Sequence, residues 1–488
     1  MGSEADRDVF RPTFNRSIRV ISRDDRLSSH GGALLVREVS HRLGVTRDLV
    51  QDMYDPRHPG LRRYELEELI DARVIGIACG LPAQDAQDQL AHDPALRAAS
   101  WHQPGKSVAG ERGGSQPTHS RALGIMTRQR NHLGMMLAEV IRRHRRARGE
   151  KHRLRRGTLD IDVFPVTAHG HQDGAAYNGH YARTVYQPLV ASFAPWGDYD
   201  HTRLGDGFVD ARLAGTAPTA LEALHFIRGA IRLSKGLARR LDVRFDAAFA
   251  NTEVMDGLAD DKVRFVGRLR NNPRLDAMAQ PYLTRSAGRP PTEGYQRVIE
   301  MGPYKAADWR HSFRLILVVV DQPDPVTGSL QLFPHHFFLI TNWEEKTMPA
   351  EALLDHYRGR GTFEDRFSEL NRALDLHLSC RAFGRNESTL LLHLLAFNIA
   401  NVLRAELERA TGSGWDLHRV QDTVLNAAAR LVHGGRQLRF YLASAAAAVW
   451  RILLGTLDRW KQVAPPPPRP RPYVPPPAHA HLALVYKL

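Results

Sequence analysis

The feature that most constrains the fold is a succession of strand-like and helix-like patterns between residues 159 and 269. Apolar runs predict three strands before the first helix of this region: Leu159–Val163, Val185–Phe193 and Phe208–Leu213. Thr219 and Glu222 have the spacing of a capping box, which predicts a helix to about Leu237. A strand over LDVRFD, a short helix starting at Asn251 and a strand at Val263–Leu269 follow. Such alternation predicts an α/β fold.

Acidic residues fall where such a fold binds its ligands. The order of three strands, helix, strand, helix and strand is that of the ribonuclease-H-like fold, and open α/β sheets bind ligands at strand ends. In the first strand, alternation places Asp160 and Asp162 on one face and the apolar residues on the other. Two like charges at this spacing need a cation or a basic partner. Asp246 ends the strand LDVRFD. We therefore predict a ribonuclease-H-like catalytic core with its ligands near these aspartates.

The rest of the chain is expected to add helical N-terminal and C-terminal regions and a β-rich insertion to this core. We predict seven segments: a disordered leader (1–25), a helical DNA-binding domain (26–100), a linker and basic helix (101–156), the first part of the core (157–270), a β-rich insertion (271–345), the resumed core with C-terminal helices (346–462) and a Pro-rich tail (463–488). The strand-like runs of the insertion are Arg297–Glu300, Phe313–Val320, Leu330–Phe333 and His336–Thr341. Apolar helices are expected at Ser388–Leu407 and Trp415–Trp460.

Charge and cysteine usage narrow the partners and the compartment. The formal net charge of +14 and the pI near 10.0 favour a polyanionic partner. The two cysteines, Cys79 and Cys380, form no metal-binding pattern, which is typical of a reducing cytoplasm. The apolar run Leu390–Leu403 is too short to span a bilayer and is interrupted by polar residues, so we predict a buried helix and no membrane partner.

Two segments near the N-terminus have the features of DNA-contacting elements. HRLGVTRDLV resembles a helix-turn-helix with a turn at Gly44 and a second helix capped by Thr46, although a plain helical pair explains it equally well. A dense basic run, Arg142 to Arg156, stands directly before the first candidate active-site strand. We expect its arginines to contact DNA phosphates, and such contacts position DNA without reading its sequence. The arginines concerned are Arg142, Arg143, Arg145 and Arg146.

The segment Tyr357–Leu374 carries the third acidic candidate. At helical pitch Tyr357, Arg360, Glu364 and Asn371 fall on one narrow face, beside an apolar stripe that would pack on the core. A carboxylate at the rim of a packed stripe is fixed in direction and suits metal binding. An ordinary amphipathic helix with an i,i+4 Arg–Glu pair explains the same pattern.

The spacing Tyr357-x2-Arg360-x3-Glu364 resembles the signature of bacterial insertion-sequence DDE transposases of the YREK class, with Asn371 in place of the family lysine. The segments DIDVFPVTAHGHQDGAAYNGHY and FDAAFA resemble the regions around that family's first and second aspartates. The run LDLHLSCRAFGRNESTLLLHLLAFNIANVLR is similar to the "thirteen-eighty" branch. FDAAFA lacks the small polar residue and the glycine that usually follow the second aspartate, and Val163 and Phe164 depart from the usual context of the first.

The resemblance implies a set of site residues. Asp162, Asp246 and Glu364 would be the catalytic metal ligands for two Mg²⁺ ions, with Mn²⁺ as a substitute. Asp160 remains a competing first aspartate. Contacts with DNA are expected from Tyr357, Arg358, Arg360 and Asn371. An aromatic residue of the insertion such as Trp309 would stack on a flipped base, although an ordinary core or surface tryptophan explains this residue as well.

The function implied is DNA transposition. The protein would bind the terminal inverted repeats of its element as a homodimer, cleave them and join the ends to target DNA. Two other hypotheses stay open at this stage: a catalytically inactive DNA-binding protein derived from such a transposase, and a structure-selective nuclease with the same core.

Overall fold

The structure is a computed structural model, and it describes residues 9–15, 17–21, 25–101, 113–150, 153–197, 205–284, 294–321, 334–412, 414–434 and 437–461. The predicted tail (463–488) and the predicted strand Leu330–Phe333 lie outside these ranges. The strands are β1 (Val9–Phe10), β2 (Val20–Ile21), β3 (Leu27–Ser28), β4 (Leu154–Val163), β5 (Val166–Thr167), β6 (Ala176–Asn178), β7 (Arg183–Tyr186), β8 (Leu189–Pro195), β9 (Gly207–Arg212), β10 (Ala238–Phe245), β11 (Arg264–Leu269), β12 (Tyr295–Tyr304), β13 (Phe313–Asp321), β14 (His335–Thr341), β15 (Ala429–Gly434) and β16 (Gln437–Leu442).

The helices are α1 (Ala33–Arg42), α2 (Val45–Gln51), α3 (Leu66–Ala78), α4 (Ala86–Leu90), α5 (Pro94–Ser100), α6 (Gln116–Thr127), α7 (Arg130–Ala147), α8 (Ala220–Ser234), α9 (Thr252–Asp260), α10 (Pro273–Leu283), α11 (Ala350–Arg358), α12 (Gly361–Leu374), α13 (Phe383–Thr411), α14 (Leu417–Val420) and α15 (Ser444–Asp458). A 3₁₀ turn at Pro59–Leu61 and a π turn at Gln421–Leu425 complete them.

A mixed sheet of eight strands organises the fold, in the order β12-β13-β14-β11-β10-β4-β8-β9. β4, β10 and β11 run parallel, and the other neighbouring pairs of this sheet are antiparallel. The predicted strands and helices between 159 and 269 occur in the predicted order, which confirms the α/β prediction. The capping box of α8 forms as expected, since the Thr219 hydroxyl accepts from Glu222 N–H and the Glu222 carboxylate accepts from Thr219 N–H.

Alternation along β4 and β10 divides the sheet into an apolar and a polar face. Leu159, Ile161, Val243 and Phe245 pack with α8 and α9 in one core cluster. The alternate residues, charged for the most part, point to the other face, which is covered in part by α11 and α12. The predicted separation of the strand aspartates from their apolar neighbours is therefore confirmed.

The β-rich insertion is an extension of the central sheet rather than a separate body. β14 pairs with β11 along its free edge, and β13 and β12 follow as further antiparallel strands. This pairing satisfies backbone groups of β11 that an open edge would leave exposed.

The helices outside the sheet surround α13. The apolar part of α13 is long enough to cross a bilayer by length and composition, but it is wholly buried within the protein. The prediction of a buried helix is thus confirmed, although the helix is longer than the predicted run. It packs against α1, α3, α6, α7 and α15.

Three local predictions at the two ends of the chain were wrong or incomplete. The predicted leader contains a two-stranded ribbon, in which β1 pairs with β2. α2 begins at Val45 after Gly44, which has φ 63°, so Thr46 lies buried inside the helix instead of capping it. The predicted helix Trp415–Trp460 is interrupted by the hairpin β15–β16, which also pairs with β3.

Candidate active site

Two aspartates meet at the carboxyl ends of neighbouring parallel strands. β4 and β10 pair so that Phe245 lies opposite Ile161. Asp162 follows Ile161 along β4, and Asp246 follows Phe245 at the end of β10. Adjacent strands are about 4.8 Å apart, so both carboxylates share one end of the sheet. Each accepts a hydrogen bond from a backbone N–H that follows it in the chain, at 2.8 Å for Asp162 and 2.9 Å for Asp246. These bonds restrict the direction of both side chains.

The third acidic residue arrives on a helix whose start was predicted wrongly. Tyr357 and Glu364 do not belong to one continuous helix, because α11 ends at Arg358 and α12 begins at Gly361. Glycines on both sides of residue 360 weaken the helix there. The break removes the predicted single face, and it places Glu364 in the first turn of α12, where the helix dipole favours a negative charge.

Arg360 joins the helix to the end of the sheet. Its Nη2 donates to Asp162 Oδ2 at 2.7 Å, and its Nη1 donates to Glu364 Oε1 at 2.9 Å. The side chains of Arg360 and Asp162 are each 14% exposed, whereas that of Glu364 is 67% exposed. Asp246 acts on both Arg360 and Asp162 through its charge. Arg360 therefore bridges Asp162 and Glu364, and Asp246 lies near enough to act on this pair through its charge.

Electrostatics distinguish Asp162 from an ordinary aspartate. Burial raises its pKa to about 6; the positive charge of Arg360 opposes this rise, and the negative charges of Asp246 and Glu364 add to it. Burial also raises the pKa of the Tyr357 phenol, which lies close enough to feel the charges of Arg360 and both aspartates. Perturbed groups gathered in one place are typical of functional sites.

The donor set suits a hard divalent cation, because all three side chains offer carboxylate oxygens. Within the described ranges, no group of three or more His, Cys, Asp or Glu side chains is arranged to hold a metal ion as it stands. In this structure the positive charge beside Asp162 and Glu364 is that of the Arg360 guanidinium, which pairs with both carboxylates.

Asp160 does not belong to this group, although it lies on the same strand face as Asp162. It is fully buried and forms a bidentate ion pair with Arg244, at 2.7 and 2.8 Å. Arg244 also donates to the carbonyl oxygen of His356 at 2.6 Å. Because both carboxylate oxygens of Asp160 are already paired, the structure contradicts its role as the alternative first aspartate.

The Asp160 pair is one end of a buried chain of charges that sequence reasoning missed. Arg366, on α12, donates to Asp206 at 2.7 Å and to Ser192 Oγ at 3.1 Å. Arg404, on α13, lies 3.7 Å from the same Asp206. Arg366 is 1% exposed. Since it follows Glu364 by two residues, this chain holds α12 against the sheet. The strand register, which places Arg244 beside Asp160, is the signal that could have revealed it.

The other predicted DNA-contacting residues around α12 have different surroundings. Tyr357 is half-buried next to the acidic group, and Asn371 is exposed on α12. Arg358 is exposed but donates to Gln296 Oε1 of β12. None of these positions conflicts with a contact to DNA.

The basic run before β4 is only partly available to a ligand. Arg143 is buried and donates to Asp48 at 2.8 Å and to two backbone carbonyls, so it is a structural residue and its predicted DNA contact is wrong. Arg142 pairs with Glu139, and Arg145 pairs with an acidic residue of the following loop. Arg146 is exposed. The run also leads into the start of β4, whereas Asp162 lies near the other end of that strand.

Trp309 does not provide a stacking platform for a base. It is 8% exposed and packs against Tyr304 and Phe313, with ring centroids 5.4 and 5.7 Å away. Its predicted role in base flipping is therefore wrong, because the side chain is buried in the core.

A family model described as "Transposase DDE domain group 1" matches residues 10–463. No curated protein matches the chain at a significant level.

Proposed function

The chain belongs to the group 1 family of transposase DDE domains, and from this premise we propose that it is a cut-and-paste DNA transposase. It would cleave the terminal inverted repeats of an insertion sequence and join the freed ends to target DNA. We assign it to the YREK-signature class and its "thirteen-eighty" branch because Tyr357, Arg360 and Glu364 have the spacing of that signature.

The observation that carries the proposal is that Arg360 bridges Asp162 and Glu364 beside the strand end that precedes Asp246. Residues far apart in sequence supply this group from two strand ends and one helix. The sheet contains the strand order β9-β8-β4-β10-β11. We take this part of the sheet to be the ribonuclease-H-like core, which supports the same assignment.

We propose Asp162, Asp246 and Glu364 as the residues that hold two Mg²⁺ ions, with Mn²⁺ as a substitute. Bound there, such ions supply charge stabilisation for the attacking and leaving oxygens of a phosphoryl transfer. The transposase family uses divalent metals of this kind. Arg360 now balances part of the negative charge of these three carboxylates. In the reaction, the same negative charge would hold the metal ions.

The other residues of the site bind and orient the substrate in this proposal. Arg360, once released from Asp162, can pair with a phosphate through its planar guanidinium. Tyr357 lies beside it and offers a hydroxyl. Asn371 stands on the exposed side of α12, where its uncharged amide can donate a hydrogen bond to a phosphate of the DNA backbone. The strand ends and the first turn of α12 together form the floor on which the scissile phosphate would lie.

The partners follow from the same proposal. They are duplex DNA, as terminal inverted repeats and as target, and a second copy of the chain, because both ends of an element are processed together. A cytoplasmic, nucleoid-associated location fits these partners.

The test is metal-dependent cleavage of a duplex that carries the element end. Asp246→Asn and Glu364→Gln should abolish cleavage with Mg²⁺ or Mn²⁺ while end binding persists. Asp365→Asn, which changes the exposed neighbour of Glu364, is the matched control and should cleave normally. Binding without any cleavage by the unmodified protein would favour an inactive DNA-binding protein, and cutting without preference for the end would favour a structure-selective nuclease.

A further inference from the structure

A basic cavity lies at the amino-terminal ends of the parallel strands, whereas the acidic group lies at their carboxyl ends. There the beginnings of β4, β10 and β11, the last turn of α8 and the turn after α9 enclose a cavity of about 880 Å³. We call it the basic basin. Its basic lining residues are Arg153, Arg156, Arg228, Arg232, Lys235, Arg239, Arg240, Lys262 and Arg264.

The charge of the basic basin is strongly unbalanced. Among the described residues, two acidic side chains line it, Asp242 and Asp261, against nine basic ones. Both acidic groups are already used: Asp242 accepts from Thr158 and from His356, and Asp261 pairs with Arg228. Of the nine basic side chains, Arg228 pairs with Asp261 and Arg264 pairs with Glu344. The remaining excess of positive charge favours a ligand with several negative charges.

The basin is separate from the candidate active site. Arg156 and Asp162 stand on the same face of β4 six residues apart, which is about 20 Å along a strand. Between them the face is covered by α11, whose His356 Nε2 lies 2.8 Å from Asp242 Oδ2. A phosphate held in the basin is thus beyond the reach of the three carboxylates.

The aromatic residues beside the basin indicate which ligand it suits. The Arg156 guanidinium lies over the ring of Trp196 at 3.8 Å and over that of Trp343 at 4.6 Å. These rings are therefore occupied and do not offer a free platform for unpaired bases, which single-strand binding requires. What remains is an array of cations contributed by several elements. Such an array suits the backbone of a duplex.

We propose that the basic basin is a second, sequence-independent binding site for the phosphate backbone of duplex DNA. The proposal rests on the DNA-processing function proposed above, and it adds a contact remote from the cleaved bond. The two exposed arginines at the start of β10, Arg239 and Arg240, and the exposed Lys262 carry the contact. Bound DNA would thereby be held at both ends of the parallel strands, at the basic basin and at the candidate active site.

The experiment compares two double variants with equal changes of charge. In Arg239→Glu/Arg240→Glu the basin loses two exposed cations, and in the control Arg439→Glu/Arg451→Glu two exposed arginines of the C-terminal region are reversed. Binding of a random-sequence duplex is measured by fluorescence anisotropy over a range of salt concentrations. We expect affinity to fall about tenfold or more in the basin variant, with a salt slope smaller by about 2, because each phosphate contact contributes about 0.9. The control should retain both values.

The possible outcomes separate this proposal from the proposed function. An unchanged salt slope in the basin variant, or an equal loss in the control, would overturn the basin. So would a loss seen with single-stranded DNA or RNA but not with the duplex. Cleavage of an end duplex is assayed in parallel: if the unmodified protein binds duplex through the basin but never cuts, the basin stands and transposition fails. If it cuts normally while the basin variant binds random duplex unchanged, only the basin fails.

Discussion

Asp160→Asn and Asp162→Asn make the sharpest comparison that the structure allows. The two residues lie on the same face of β4, two positions apart, and each substitution replaces a carboxylate by an amide of the same shape. Asp160 is buried in a bidentate ion pair with Arg244, whereas Asp162 faces Arg360 at the candidate active site. We expect the first change to affect folding and the second to affect chemistry.

The expected free energies have opposite signs. Asp160→Asn leaves the buried Arg244 without its carboxylate, and breaking a buried ion pair in this way costs about 3–5 kcal/mol. The pKa of Asp162 is raised from 3.8 to about 6, so the folded state binds this proton more tightly than the unfolded state. Stability from this group is therefore present at low pH, is lost as pH rises from 3.8 through about 6, and stays lost above. The loss corresponds to roughly 3 kcal/mol as an upper value, and Asp162→Asn should recover part of it at neutral pH.

Urea denaturation of both variants and of the unmodified protein, at neutral and at acidic pH, measures these differences, and cleavage of an end duplex is assayed on the same samples. The stability gain of Asp162→Asn should disappear at a pH below 3.8, where the Asp162 carboxyl is protonated in both the unfolded and the folded state. Equal destabilisation by the two substitutions would refute the reasoning. Normal cleavage by Asp162→Asn, together with a stable but inactive Asp160→Asn, would reverse the assignment of the first aspartate.

Three further predictions concern α12 and the residue before it. Arg360→Gln should tighten the binding of Mn²⁺ to the free protein, because it removes the cation that now occupies two of the three carboxylates; titration calorimetry measures this, and weaker binding would contradict it. Arg366→Met should lower the free energy of unfolding by about 3–5 kcal/mol, since Asp206 loses its closest partner, whereas Arg372→Met on the exposed side should change it by less than about 0.5 kcal/mol. Asn371→Lys should make DNA binding more salt-dependent by about one unit of slope, as one added phosphate contact requires, and an unchanged slope would place Asn371 away from the DNA.

The α/β class and the order of the core elements could be predicted from the sequence, because they depend on local periodicity. The choice of Asp162, Asp246 and Glu364 came from the resemblance and stays a prediction. Alternation along β4 separates polar from apolar side chains wherever the strand pairs, and the capping box of α8 uses residues three apart. The resemblance around Tyr357, Arg360 and Glu364 rests on the spacing of these residues, which is read directly from the sequence.

Other features depended on which elements meet. Sequence could not distinguish Asp160 from Asp162, because both have the same strand periodicity and only the position of Arg244 on the neighbouring strand separates a structural carboxylate from a candidate ligand. It could not show that Arg143 and Trp309 are buried, since burial is set by residues distant in the chain. The basic basin likewise forms from three strand starts and two helix ends, whose charges combine only when the sheet is assembled. Periodicity is a property of neighbouring residues, whereas burial, ion pairing and cavities are properties of the packed chain.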